Sequence, residues 1–254
     1  MNIIAIIPAR MGSSRFPGKP MAKISGIPMI GHVYSRVNLC KVLTDVFVAT
    51  CDQEIYDYII SINGKAIMTA ATHERASDRS AEAMYKIEEI NGERIDILVM
   101  VQGDEPMISP IMIDNAVQPL VDDPSIGVSN LMALMTSNDE ADPNEVKVVV
   151  DANGFALYFS REAIPSNKKF DKKIEYYKQV CVIPFKRDSL IKFSQLEPTP
   201  LEIIESVDMN RLVENGIKVK MIQTNLDTYA VDTPEDLLKV NRLMKRDALI
   251  KKYI

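Results

Sequence analysis

Histidine is scarce in this chain, with only His32 and His73 among 254 residues. His32 falls within a helical pattern and reads as structural, and His73 reads as a loop contact, so nothing calls for acid–base catalysis by imidazole. Cysteine is nearly as rare. Cys40, Cys51 and Cys181 are scattered and odd in number, which excludes a disulfide framework and leaves no CxxC spacing for a metal. Positive charge is outweighed, with 30 Lys and Arg against 35 Asp and Glu, a net charge of -5 and a pI near 5.3. The basic footprint of a nucleic-acid-binding protein is therefore missing. No apolar run approaches bilayer length: Ile3 to Ile7 is interrupted at Pro8 and Arg10, and is too short for a signal-peptide core as well. The expectation is a cytoplasmic protein without membrane insertion. Repeats, low-complexity tracts and long linkers are also lacking.

What remains is ordinary soluble composition, 46% hydrophobic and 26% charged, in a chain long enough for a sizeable core. Ile3-Ile4-Ala5-Ile6-Ile7 has no polar alternation, as expected of a strand covered on both faces in a parallel sheet. Pro28 opens a helical pattern through Ile30, Val33, Tyr34 and Val37. A strand over Asp45 to Thr50, a helix from about Gln53 to Ile62, and a short strand over Ala66 to Met68 follow. A helix over Ser80 to Ile90 then leads to a strong strand over Ile95 to Val101. Such alternation predicts an α/β fold with right-handed crossovers. From about Gly127 the pattern changes. Strands over 146–150 and 155–159 flank Asp151-Ala152-Asn153-Gly154, a hairpin signal. Residues 168–173 are polar and lysine-rich, which predicts an exposed loop. Val180 to Ile183 and Val219 to Ile222 are further strands. Thr233-Pro234-Glu235-Asp236 starts a terminal helix with a cap, a first-turn proline and first-turn acids.

Two segments carry chemistry. Pro8-Ala9-Arg10-Met11-Gly12-Ser13-Ser14-Arg15-Phe16-Pro17-Gly18-Lys19-Pro20 follows the first strand, at the carboxyl end where open α/β sheets bind ligands. Gly12 and Gly18 permit close approach of an anion, Arg10, Arg15 and Lys19 supply cations, and Ser13 and Ser14 add hydroxyls. Its spacing is neither GxxxxGK[ST] nor GxGxxG. The same composition would suit a solvated surface loop, but its position after a buried strand favours phosphate. The second segment, Gln102-Gly103-Asp104-Glu105-Pro106, ends the most hydrophobic strand. A carboxylate there suits magnesium, and so does Asp232 where a short strand meets the last helix. Each is also compatible with a plain turn or a helix-start acid.

Taken together, these segments resemble the CMP-Kdo synthetase family, the 3-deoxy-manno-octulosonate cytidylyltransferases. The matching stretches are Ile7-Pro8-Ala9-Arg10, Pro17-Gly18-Lys19-Pro20, Val101-Gln102-Gly103-Asp104-Glu105-Pro106, Val146-Lys147-Val148-Val149, Ala156-Leu157-Tyr158-Phe159-Ser160-Arg161 and Val231-Asp232-Thr233-Pro234-Glu235-Asp236-Leu237. They keep their order from residue 3 to about 245. The resemblance implies a glycosyltransferase-A-like nucleotidyltransferase fold, with a mostly parallel central sheet, helices on both faces and an inserted β-hairpin lobe. It implies one domain over 1–254, with about 127–190 forming a dimerisation and acceptor-binding region of a homodimer. It further implies a Mg2+-dependent enzyme that transfers CMP from CTP to the anomeric hydroxyl of a 2-keto sugar acid for a surface glycan, releasing pyrophosphate. Arg10, Lys19, Asp104 and Asp232 would be catalytic, with Asp104 and Asp232 on the metal. Pro8, Ala9, Arg10, Gly12, Ser13, Arg15, Lys19, His73, Ser77, Arg79 and Gln102 would bind the nucleotide, and Arg161, Gln179, Asp208 and Arg211 the acceptor.

Three departures stand out. The family's His-x-Ser-Gly-Thr-(Asp/Glu)-Arg becomes His73-Glu74-Arg75-Ala76-Ser77-Asp78-Arg79. Its sugar-contacting strand, with a His and a Tyr, here carries Gln179 and Ile183. Its Glu-Gln-Leu-Arg helix becomes Asp208-Met209-Asn210-Arg211. Exchanging groups that hydrogen-bond hydroxyls changes substrate choice. The alternatives are therefore cytidylyl transfer to another acid, such as an amino-sugar variant of Kdo or a phosphonate, or a CTP-binding protein without catalysis.

Overall fold

The computed structural model describes all residues except 13–15, 136–138, 170, 171 and 173, with Asp139 described by its backbone only. The chain divides into two compact units, Met1–Asp114 with Thr228–Ile254, and Asn115–Asp227. The second unit contains the whole of the 127–190 region expected as an insertion and extends it at both ends.

The first unit begins with β1 (Ile3–Ala9), a small antiparallel pair β2 (Lys23–Ile24) and β3 (Ile27–Pro28), then α1 (Met29–Val37). It continues through β4 (Asp45–Thr50), α2 (Gln53–Ser61), β5 (Ala66–Met68), α3 (Ala76–Asn91) and β6 (Ile97–Val101). β1 pairs in parallel with β4 on one side and β6 on the other, and β4 pairs in parallel with β5. The unbroken apolar sequence of β1 follows from this central position: Ala5, Ile6 and Ile7 are wholly buried, so no face needs polar residues. α3 starts at Ala76, a turn earlier than its hydrophobic pattern predicts. Its first turn buries Ser77, Arg79 and Ser80, and inward polar side chains leave no apolar periodicity to read.

α4 (Pro110–Asp122) crosses from the first stretch of chain into the second unit. There follow β7 (Ser129–Leu134), β8 (Lys147–Val150), β9 (Ala156–Ser160), β10 (Tyr177–Val180), β11 (Val182–Lys186), α5 (Arg187–Gln195), α6 (Pro200–Glu205), α7 (Met209–Glu214) and β12 (Lys220–Thr224). The sheet order is β12-β7-β10-β8-β9, with β12 parallel to β7 and the other pairs antiparallel. The expected hairpin is β8–β9. Asp151 Oδ1 accepts from the backbone N–H groups of Asn153 and Phe155, and Gly154 takes the positive φ of +75° that the turn needs. The single strand expected over Val180 to Ile183 is two strands parted at Cys181. The wholly buried Asn130 spans the gap, donating through Nδ2 to Val180 O and Val182 O.

The chain returns to the first unit with α8 (Pro234–Met244). Its N-terminus carries the expected cap: Thr233 Oγ1 accepts from Asp236 N, and Asp236 Oδ2 accepts from Thr233 N. Val231, Val240 and Met244 form a buried cluster with Ile24 and Met29. Among the described residues no helix is long and apolar enough to cross a membrane.

Candidate active site

Three charged residues from distant parts of the sequence converge in the first unit. Lys19 Nζ lies 3.1 Å from Asp104 Oδ2 and 3.2 Å from Asp232 Oδ1, with all three side chains largely buried. The fold arranges this from both sides. Gly103 ends β6 against β1, and a Cβ there would come within 3.2 Å of Ile30 Cδ1 and 3.4 Å of Pro8 O. The turn that follows is stitched to the segment before α8. Val231 N donates to Asp104 O, and Tyr229 N donates to the carboxylate of the buried Glu105. Lys19 is presented by a short 3-10 turn, Lys19–Met21, whose leading Gly18 has φ of +72°, and Gly18 N closes the loop onto Met11 O. Burial pushes the Lys19 pKa down, but the charges and hydrogen bonds of Asp104 and Asp232 outweigh it, and the pKa stands above the ordinary lysine value. Lys19 is thus a permanent cation and not a base.

The same geometry tests the expected magnesium. Two carboxylates from facing turns already share one cation. That donor set suits a hard divalent ion, which takes one or two carboxylates and completes its shell with phosphate oxygens and water. Among the described residues no cluster of three or more His, Cys, Asp or Glu forms, so a cage built wholly from protein ligands is not offered. The residues fit a metal held jointly with a phosphate substrate.

The remaining nucleotide candidates fall into two groups. Pro8 and Ala9 end β1, Arg10 and Gly12 are exposed beyond it, and Gln102 is half-buried just after β6. A Cβ on Gly12 would meet no protein atom within 4 Å, so packing alone does not demand glycine there. Ser13 and Arg15 lie outside the described residues. The 73–79 stretch behaves differently. Ser77 is wholly buried beneath Met100, and the guanidinium of the buried Arg79 donates to Thr69 Oγ1 and to the carbonyls of Ala70 and His73. Both side chains face the inside of the loop and hold it there. His73 is half-buried with Nε2 on Glu82, whose pKa is lowered to about 2. Burial there is outweighed by hydrogen bonds from Lys86, Ala70 N and His73.

The acceptor candidates all lie in the second unit. Arg161 is half-buried and donates through Nε to Glu205 O at 2.7 Å, through Nη1 to Pro143 O at 2.8 Å and through Nη2 to Ser206 O at 3.4 Å. Gln179 Nε2 donates to Asn130 Oδ1 at 2.6 Å. Asp208 sits half-buried at the N-cap of α7. Arg211 is placed differently from the other acceptor candidates. It is 2% exposed, pairs with the wholly buried Glu202, and lies 4.2 Å over the Phe193 ring. Its charge is spent within the core of the unit. Ile183, where the resembled family has a tyrosine, is likewise core at 2% exposure.

Several supports escaped sequence reading. Asp52, just past β4, accepts Met11 N at 2.8 Å and so pins the start of the loop that follows β1. Glu105 and Lys147 are buried. Lys147 Nζ donates to the carbonyls of Asp142, Glu145 and Arg161, holding the loop against which Arg161 rests. Their signal was a charged residue inside or beside an apolar strand, which marks a paired group without naming its partner.

The comparisons with known proteins agree with this arrangement. The cytidylyltransferase family profile matches residues 4–222. The 3-deoxy-manno-octulosonate cytidylyltransferase of Geobacter metallireducens is 43% identical over 257 aligned positions, covering 97% of this chain and 99% of that protein. A solved structure of CMP:2-keto-3-deoxy-manno-octonic acid synthetase complexed with CTP is 40% identical. It superposes with a TM-score of 0.88 over 97% of this chain and 99% of its own. The 4-diphosphocytidyl-2C-methyl-D-erythritol synthase of Anaerococcus prevotii, at 15% identity, TM-score 0.61 and 96% of each chain, shares the fold. The expected nucleotidyltransferase architecture is the observed one, and the chain belongs to the cytidylyltransferase family, among the CMP-Kdo synthetases.

Proposed function

We propose that this protein transfers CMP from CTP to the anomeric hydroxyl of 3-deoxy-manno-octulosonate, releasing pyrophosphate. The observation that carries this reading is the convergence of Lys19, Asp104 and Asp232 at the carboxyl ends of β1 and β6. Arg10 and Lys19 bind the triphosphate and offset the charge that grows on the leaving pyrophosphate as the α–β phosphoanhydride bond breaks. Lys19 enters the reaction protonated, because Asp104 and Asp232 hold its pKa above the ordinary lysine value against the pull of burial. Arg161, braced by three carbonyls beside Glu205, orients the acceptor carboxylate, and Gln179 reads the sugar hydroxyls.

Asp104 and Asp232 would hold magnesium. When bound it would supply charge neutralisation at the phosphates and orientation of the α-phosphate. The enzyme serves a surface glycan such as lipopolysaccharide or capsule, works in the cytoplasm and acts as a homodimer. Sedimentation would read that last point as twice the 28.5 kDa chain mass.

The test is pyrophosphate release by the purified protein with CTP, magnesium and a panel of acids, with mass detection of the CMP product. Product with 3-deoxy-manno-octulosonate supports the reading. The exchange of the family's His and Tyr for Gln179 and the buried Ile183 favours a second reading, in which an amino-sugar variant of that acid is preferred. A higher kcat/KM for the amino sugar would select it, and release with none of the acids would sink both.

A further inference from the structure

The three converging side chains sit on segments with little secondary structure of their own, and one buried cluster touches two of these segments and the helix that follows the third. Arg36, on α1 and 2% exposed, donates through Nη1 to Met107 O at 3.2 Å and Ile108 O at 3.3 Å, the carbonyls just past the Asp104 turn. Its Nη2 reaches Met244 Sδ at 3.4 Å and pairs with Asp247, at and beyond the end of α8, the helix that Asp232 precedes. One turn earlier on α1, His32 is wholly buried. Its Nε2 lies 2.7 Å from Ile24 O, on the short strand that follows Lys19. A carbonyl only accepts, so Nε2 carries the proton and Nδ1 is an acceptor. The Tyr253 hydroxyl, 3.0 Å from Nδ1, donates to it and accepts from Arg36 Nε at 3.1 Å. On the far side of the same strand, Ser25 N donates to Asn241 Oδ1 of α8 at 2.8 Å.

The His32, Tyr253 and Arg36 side chains thus form one continuous chain of hydrogen bonds between Ile24 O and the carbonyls of Met107 and Ile108. From these contacts we infer that His32, Arg36 and Tyr253 form a positioning hub that fixes Lys19, Asp104 and Asp232 relative to one another. None of the three touches the reacting atoms. A core that merely satisfied its own polar groups would not need to reach the segments after Lys19 and Asp104 and the end of the helix that Asp232 precedes, and this one does. Its catalytic consequence rests on the proposed function, because a shift near 1 Å in such groups costs about a hundredfold in rate.

The test pairs Tyr253→Phe, which removes one oxygen and keeps the ring, with Arg36→Lys. The lysine retains a charge for Asp247 but cannot fork to Tyr253, Met107, Ile108 and Met244 together. Amide hydrogen exchange and steady-state pyrophosphate release are read on the full chain. The expected result is exchange about tenfold faster in residues 16–25, 102–109 and 228–236, with β4, β5 and the second unit unchanged. With it goes a fall in kcat of about 10- to 100-fold while the acceptor KM stays put. Uniformly faster exchange through the first unit, or no change in those three segments, would overturn the hub, as would a kcat equal to wild type. Tyr253→Phe carries the test alone if Arg36→Lys does not fold. Segment-specific exchange in the variants, with a wild-type protein that releases no pyrophosphate, would instead remove the proposed function and leave the hub standing.

Discussion

The site candidates of the two units hold their charge in different ways. In the first, Lys19 pairs with both Asp104 and Asp232, and Arg10 stands exposed beyond β1. In the second, the charged groups are absorbed by the fold: Arg211 by Glu202, and Lys147 and Arg161 each by three carbonyls. A group held by carbonyls keeps its net charge and can still attract an anion, whereas a group paired in the core cannot. In the first unit Arg10 is thus open to an anionic ligand, and in the second Arg161, half-buried and held by carbonyls, is the acceptor candidate that keeps its charge.

The strongest challenge to this contrast is Arg211→Met. It strands Glu202 in the core, and the expected loss is about 3–5 kcal/mol of stability, read from urea unfolding, with the acceptor KM unchanged. A raised acceptor KM at intact stability would return Arg211 to the binding site. Next comes Asp104→Asn or Asp232→Asn, expected to lower kcat by about 10²–10³-fold with little change in the unfolding midpoint. Full activity in either would mean that the convergent carboxylates are only structural. Arg161→Met should raise the acceptor KM about tenfold and leave the CTP KM alone, and an effect on CTP instead would blur the division of labour. The smallest effect is on pH dependence. Burial pushes the His32 pKa down, with Arg36 adding to it against the hydrogen bond to Ile24 O. Unfolded chains take up a proton there as the pH falls below about 6.5 and folded ones do not. Stability therefore declines with acidification, by at most about 1.4 kcal/mol per pH unit. Both histidines lie in the first unit. Urea midpoints at pH 7.5 and 5.5 should show the decline in wild type and less of it in His32→Gln, and an equal decline in both would discard the assignment.

The same contrast explains what could be read from residues alone. β1, β6 and the α8 cap announced themselves through apolar runs and capping chemistry, and Lys19, Asp104 and Asp232 lie where those elements end. The burial of Arg211 was not legible, because a helix arginine looks alike in sequence whether it faces a substrate or a buried glutamate nine residues away. The burial of Ser77 and Arg79 was hidden for the related reason that a polar run at a helix start conceals which way it points. Asp52, Glu105 and the hub around Arg36 depend on pairings across long stretches of chain, and no local pattern encodes those.

The division of the first unit into two stretches has a consequence for synthesis. Residues 1–114 leave the ribosome carrying Lys19 and Asp104, but Asp232 waits behind the whole of 115–227. At about 5–20 residues per second that delay is on the order of ten seconds. Throughout it Ile24 and Met29 lack Val231, Val240 and Met244 to cover them. A growing chain therefore holds half of its carboxylate pair and an open apolar face, and becomes competent only when its last stretch is made.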